Sequence, residues 1–180
     1  MRHDHQTPSA WIERWGRLLK PGATVLDVAC GYGRHTRLFA ARGCKVLALD
    51  RDAEALAGLE GIEGVQILHA DIENAPWPLD GQGFDAVVVV NYLHRPLWPS
   101  LVAAVAPGGL LLYETFMQGN ERYGKPSNPA FLLRPGELLE ATTPLQPLAF
   151  EQGTQGGQAV IQRICALRGE PGSLDLSQAL

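Results

Sequence analysis

The sequence predicts an α/β fold. One domain, residues 1–180, is expected to carry a doubly wound, mainly parallel sheet of seven strands, with helices on both faces and a C-terminal antiparallel hairpin. Three observations lead there. Apolar runs of strand length alternate with helical patterns from residue 23 to residue 115, the arrangement that winds a parallel sheet covered on both sides. One run, Phe84 to Val90, contains four consecutive valines, which suits burial on both faces. Two final runs flank Gly156-Gly157, as the arms of a hairpin flank its turn. A chain of 180 residues, 46% of them hydrophobic, can bury one core and has little room for a second domain.

The elements follow in order. In residues 9–20, Trp11, Trp15 and Leu18 recur at helical spacing, with Ile12 and Leu19 flanking them, and Pro21-Gly22 stops the helix. ATVLDVA (23–29) reads as a buried strand, and Gly33 to Arg42 as a helix closed by Gly43. Lys45 to Asp50 is a strand, Asp52 to Leu59 a helix entered through an Asp cap, and Val65 to Ala70 a strand. After the valine strand, Pro99 to Ala106 reads as a helix ended by Pro107-Gly108-Gly109, and Leu110 to Thr115 as a strand. Residues 135–141 form a short helix, and LAFEQG (148–153) and QAVIQRICALR (158–168) the hairpin.

Residues 116–136 hold three prolines and three glycines and are too long for an ordinary connection. Such loops are usually functional, so a lid is expected. Residues 1–8 and 169–180 are expected to be flexible.

Composition narrows the function. Fifteen Lys+Arg against 19 Asp+Glu give a net charge of −4, which argues against sequence-independent binding to phosphate backbones. No nucleic-acid partner is expected. No apolar run approaches the roughly 20 residues of a membrane span, and the polar start carries no signal segment. A cytoplasmic protein without a membrane partner is the expectation. Cys30, Cys44 and Cys165 are odd in number and widely spaced, so they read as reduced, buried thiols. His3-Asp4-His5 lacks further ligands at fixed spacing. It reads as a flexible start, and no metal is expected.

The sharpest motif is VLDVACGYGRHT, residues 25–36. A strand runs through glycines into a helix, and Gly31 and Gly33 allow a tight turn and close approach of a ligand to the backbone. The dinucleotide fingerprint G-x-G-x-x-G would need glycine where Thr36 stands. Asp27, near the carboxyl end of the strand, would repel a pyrophosphate and attract an ammonium group. S-adenosylmethionine carries an ammonium and a sulfonium and no phosphate. The competing role for Asp27 is to tie down the loop backbone. Asp50 lies 19 residues past Gly31, close to the ~20 expected of a carboxylate that accepts ribose hydroxyls. Its alternative is a helix cap, for which Asp52 is better placed. Asp71 and Ile72 follow the third strand, where a carboxylate can accept from an adenine amino group and an apolar side chain can pack on the ring. The alternative for Asp71 is a solvent-facing strand end. Three strands ending in Asp at one sheet edge match the place where such folds bind ligands.

Leu26-Asp27-Val28-Ala29-Cys30-Gly31-Tyr32-Gly33, Asp50, Asp71-Ile72, Phe84-Asp85 with its valines, and Pro107-Gly108-Gly109 together resemble a class I S-adenosylmethionine-dependent methyltransferase. CGYGRHT further resembles the small tellurite-resistance-type bacterial members. The resemblance implies a single Rossmann-like domain that takes S-adenosylmethionine and releases S-adenosylhomocysteine. It places Asp27 and the backbone of Ala29, Cys30, Gly31 and Gly33 at the methionine end, Asp50 at the ribose, and Asp71 and Ile72 at the adenine. Arg51 and Asn91 complete the candidate cofactor set, and Arg34 is a candidate for the methionine carboxylate. Ala29 departs from the family's usual glycine; the change is tolerable if the backbone stays at negative φ, and cofactor binding is expected to survive it.

On the acceptor side, Asn91-Tyr92-Leu93-His94 lacks the prolines of the amino-methylating enzymes of DNA, and no cysteine stands there for RNA cytosine-C5 chemistry. His94 is the candidate base; its alternative is packing in a turn. Arg95, Arg122, Lys125 and Arg134 are an excess of cations near the expected mouth and would suit an anionic small-molecule acceptor. Tyr123 is a further candidate acceptor contact. The rival readings are a non-catalytic binding protein and an NAD(P)-dependent oxidoreductase, the latter disfavoured by Asp27 and Thr36.

Overall fold

The computed structural model describes residues 7–179; His3-Asp4-His5 lies outside the described residues. Seven strands form one sheet: β1 (Thr24–Val28), β2 (Lys45–Asp50), β3 (Val65–His69), β4 (Phe84–Val90), β5 (Val105–Phe116), β6 (Gln146–Gln155) and β7 (Ala159–Leu167). Their spatial order is β3-β2-β1-β4-β5-β7-β6. The first five are parallel, and β7 runs antiparallel between β5 and β6. The chain winds outward from β1 in one direction and from β4 in the other. That reversal opens a crevice at the carboxyl ends of β1 and β4, where α/β sheets bind ligands.

Five helices cover the sheet: α1 (Ala10–Trp15), α2 (Arg34–Ala41), α3 (Ala53–Ala57), α4 (Trp98–Ala103) and α5 (Glu137–Ala141). Ser9 Oγ caps α1 by accepting from Trp11 N, and Asp52 caps α3 by accepting from Glu54 N and Ala55 N. Alternate residues of β1 and β4 feed two cores. Leu26, Val28, Val87 and Val89 pack with Leu101 and Leu138 on one face. Val25, Val88 and Val90 pack with Trp11, Ile12, Trp15 and Phe39 on the other. Burying each such side chain stabilises the domain by about 1.5–3 kcal/mol, which is why the valine run sits in the middle of the sheet.

Two elements differ from the sequence expectation. The helix expected over 99–106 is α4, and β5 already begins at Val105. Pro107-Gly108-Gly109 therefore lies inside a strand, where the pairing with β4 shifts register. A side chain at Gly109 would meet the Phe84 carbonyl at 2.8 Å, so the glycine permits close backbone approach rather than ending a helix. The first helix is shorter than 9–20: its α-helical part ends at Trp15 and a 3₁₀ turn, Gly16–Leu18, follows.

The long segment after β5 is pinned at its base. Met117 and Leu133 form a bridge, and both are buried. Asn120 is also buried, accepting from Val160 N and donating to the Pro126 carbonyl. Phe116 and Met117 thus belong to the core, while Tyr123 and Phe131 are exposed. At the C-terminal end, 3₁₀ turns occupy Pro171–Ser173 and Leu176–Ala179. Ala179 is buried and its carbonyl accepts from Arg14 Nε. Among the described residues no helix is long and apolar enough to cross a membrane.

Candidate functional site

The turn after β1 alternates in hand. Ala29, Gly31 and Gly33 have φ of 51°, 54° and 74°. The negative φ under which an alanine is readily tolerated is not what Ala29 adopts: it takes the left-handed conformation, at a cost of about 1–2 kcal/mol. Nothing lies within 4 Å of where a Gly31 side chain would begin, so that backbone faces open space. A side chain at Gly33 would lie 2.4 Å from Leu59 Cδ2, so this glycine lets the turn pack against the end of α3.

Two carboxylates organise the turn. Asp27 is buried, and its Oδ2 accepts from Thr36 Oγ1 at 2.6 Å. Burial raises its pKa to about 6, against the lowering effect of the Thr36 hydrogen bond. Asp50 closes β2; its Oδ2 accepts from Gly31 N at 2.7 Å and its Oδ1 from Asp52 N at 2.9 Å. The capping of α3 itself falls to Asp52.

Two hollows meet at this turn, of about 280 and about 270 Å³, and both are lined by Ala29 and Asn91. The first is also lined by Asp50, Arg51, Asp71, Ile72, Glu73 and Tyr92. The second takes in Asp27, Cys30, Gly31, Gly33, Arg34 and His35. All ten candidate cofactor residues named from the sequence line one or both. Asp71 is locked in a turn: Oδ1 accepts from Glu73 N and Asn74 N, and Oδ2 from Asn74 Nδ2. The Asn74 bond and then the Glu73 bond hold its pKa below the usual value. Arg51 and Glu73 form an ion pair at 3.7 Å. Asn91, at the end of β4, has φ 57°, a conformation that asparagine tolerates.

The acceptor-side candidates are distributed differently. His94 is half-buried at the entry to a 3₁₀ turn, and among the described residues its imidazole has no hydrogen-bond partner or ion pair. Arg95 spends its fork on the chain itself. Nε and Nη2 donate to Glu137, Nη1 to the Ala130 carbonyl and Nη2 also to the Leu132 carbonyl. Arg134 pairs with Glu137 and Glu140. Arg122 donates to the Gly119 carbonyl, and Tyr123 is exposed. None of His94, Arg95, Arg122, Tyr123 and Arg134 lines either hollow.

His35, Glu73 and Tyr92 are among the lining residues that sequence reasoning did not single out. His35 is buried, and its Nε2 accepts from Ser9 N at 3.0 Å. Burial lowers its pKa to about 3, so the ring is neutral. Glu73 and Tyr92 line the first hollow. Glu73 was signalled only by its nearness to Asp71, and His35 only by its place in the glycine turn's helix. Among the described residues no cluster of three or more His, Cys, Asp or Glu could hold a metal ion.

With this geometry, residues 25–109 match the family model described as a methyltransferase domain. Trans-aconitate 2-methyltransferase of Paracidovorax citrulli is 35% identical over 102 residues, 52% of this chain and 38% of that protein. The tRNA U34 carboxymethyltransferase of Pseudoalteromonas translucida is 30% identical over 155 residues, 72% and 47% of the two chains. The chain spans less than half the length of these curated relatives. TehB from Haemophilus influenzae shares the fold with a TM-score of 0.71 at 19% identity, covering 89% of this chain and 62% of that one. The matched region, just under half of the chain, is thus similar to a methyltransferase domain, and the chain shares its fold with TehB. An S-adenosylmethionine-dependent methyltransferase from Mesorhizobium loti has the same fold, with a TM-score of 0.66 at 18% identity, covering 89% of this chain and 98% of that one.

Proposed function

We propose that this chain transfers a methyl group from S-adenosylmethionine to a small-molecule acceptor. One observation carries the reading most directly: a buried carboxylate, Asp27, at the foot of a left-handed turn whose backbone faces an open hollow. A buried carboxylate calls for a cationic partner, and the cofactor's amino-acid ammonium is one. The site suits the whole molecule. Two joined hollows together fall within the ~300–1,000 Å³ of ordinary ligand pockets. One has carboxylates at Asp50 and Asp71 for hydroxyl and amino donors, and Ile72 as an apolar wall.

When bound, S-adenosylmethionine supplies an electrophilic methyl carbon whose bond to sulfur breaks as the acceptor's lone pair attacks, leaving a neutral thioether. The chain's residues then have mainly to align and exclude water. Asp27 holds the ammonium end, Asp50 braces Gly31 while facing the ribose, and Asn91 spans the junction of the two hollows. His94 is the proposed base for an acceptor that arrives protonated. We take the acceptor to be a small molecule rather than tRNA because the net charge is −4, and we place the protein in the cytoplasm. Transfer of labelled methyl to a metabolite pool tests the activity. Cofactor binding without any transfer to that pool would leave the chain a binding protein.

A further inference from the structure

We propose that the methyl acceptor sits in a third hollow, on the β6–β7 hairpin, and that it is a neutral or basic molecule rather than an acid. This rests on the methyl-transfer reading above. The hollow measures about 300 Å³ and is lined by Glu151, Gln152, Thr154, Ile161 and Arg163, among others.

Its position follows from register. Phe116, the last residue of β5, pairs with Ile161, so this part of β7 lies at the same sheet edge as the cofactor crevice. Val90 of β4 pairs with Glu114 of β5, Glu114 with Arg163 of β7, and Arg163 with Glu151 of β6. Val90 lines the hollow that holds Asp27, and Arg163 lines the hairpin hollow. Two strand spacings separate them, roughly 10 Å, the span of a small acceptor with one end at the cofactor and the other on the hairpin.

Its chemistry follows from the charges in that row. Arg163 Nη1 meets Glu114 Oε2 at 3.3 Å, and its Nε and Nη2 donate to Glu151 Oε2. The Trp11 ring lies 4.8 Å from the guanidinium. Glu114 is only 6% exposed. Turning Arg163 towards an acceptor carboxylate would strand a buried charge. Two carboxylates and one guanidinium leave the row negative. Arg95 is held in the same way by Glu137, itself 3% exposed. Arg122 and Lys125 are exposed to water, where an ion pair with an acceptor gains little. A guest that donates hydrogen bonds or carries an amine fits this wall, and an acid does not.

The test separates a low-molecular-weight extract by ion exchange into anionic, neutral and cationic fractions and offers each with labelled S-adenosylmethionine. Label is expected from the neutral or cationic fraction. Glu151 is half-exposed, so its variants should fold. Glu151→Lys is expected to raise KM for that acceptor at least tenfold with less than a twofold change in S-adenosylhomocysteine affinity, and Glu151→Asp to restore it. Label from the anionic fraction, or an unchanged KM in Glu151→Lys, overturns the inference. No label from any fraction, in a protein that binds S-adenosylhomocysteine, overturns the methyl-transfer reading and this inference with it.

Discussion

Thr36 Oγ1 donates a 2.6 Å hydrogen bond to Asp27 Oδ2, joining the first turn of α2 to the end of β1 beneath the glycine turn. Thr36 stands where a dinucleotide site would place its third glycine, and Asp27 where a pyrophosphate would meet a negative charge. The two features that separate this chain from dinucleotide binders are therefore a single buried pair. Thr36 stabilises the charged carboxylate that the proposed cationic ligand would need, while burial opposes that charge.

Asp27 should make unliganded stability depend on pH. Its folded pKa, about 6, lies above the ordinary carboxylate value of 3.8. The stability linked to it is present below about pH 4 and lost as pH rises through 6. A shift of that size corresponds to about 3 kcal/mol. His35 acts with the opposite sign: its pKa falls from 6.5 to about 3, so its contribution is present above pH 6.5 and lost as pH falls towards 3. Chemical denaturation of Asp27→Asn and wild type at pH 4 and pH 7 cancels the His35 part. The variant should gain on wild type by about 3 kcal/mol between the two pH values. A difference independent of pH would show that Asp27 is not strained by burial.

Ala29→Gly should stabilise the protein. Glycine removes a left-handed penalty of about 1–2 kcal/mol and adds back about 0.5–1 kcal/mol of chain entropy, for a net gain of up to about 1.5 kcal/mol. Gly33→Ala should have the opposite effect, since φ is 74° and the new Cβ would lie 2.4 Å from Leu59 Cδ2. A loss of about 1–3 kcal/mol is expected. Urea midpoints at equal m-values measure both, and equal midpoints for the pair would contradict the backbone geometry.

Arg95→Ala should cost about 3 kcal/mol or more, because it leaves the buried Glu137 carboxylate without its fork. It should also speed proteolysis between residues 117 and 136, since the same guanidinium ties the Ala130 and Leu132 carbonyls to the turn that carries His94. Arg134→Ala removes a guanidinium that is 60% exposed and approaches Glu137 only at 3.6 Å, leaving the Arg95 fork in place, and should cost less than about 1 kcal/mol. Equal effects of the two substitutions would mean that the fork does not hold the segment.

The proposed lid must then work from its tip. The bridge between Met117 and Leu133 leaves Tyr123 and Phe131 as the large exposed groups beyond it. Proteolysis within 119–131 should slow when S-adenosylhomocysteine and an acceptor are bound. Equal rates with and without ligands would make the segment a static surface loop.

The parallel strands were legible because burial on both faces writes itself as unbroken apolar runs such as Val87 to Val90. The crevice lined by the candidate cofactor residues was legible because its polar groups lie at strand ends, where Asp27, Asp50 and Asp71 interrupt those runs. The early start of β5 was not, because Pro107-Gly108-Gly109 has the local chemistry of a helix stop and only the approach of the Phe84 carbonyl makes it a strand irregularity. The sign of φ at Ala29 was hidden for the same reason, since tertiary packing and not the residue sets it. Arg95 and Arg134 read as free cations because their partners, Glu137 and Glu140, become neighbours only once α5 has folded back.

Titration calorimetry with S-adenosylhomocysteine and with NAD, across pH 5 to 8, tests the cofactor assignment most directly. S-adenosylhomocysteine should bind at one site, with an affinity that falls by up to tenfold per pH unit below about pH 6 as Asp27 takes up a proton, and Asp27→Asn should abolish that slope. NAD should give no binding heat. Binding of NAD with none of S-adenosylhomocysteine would contradict the account.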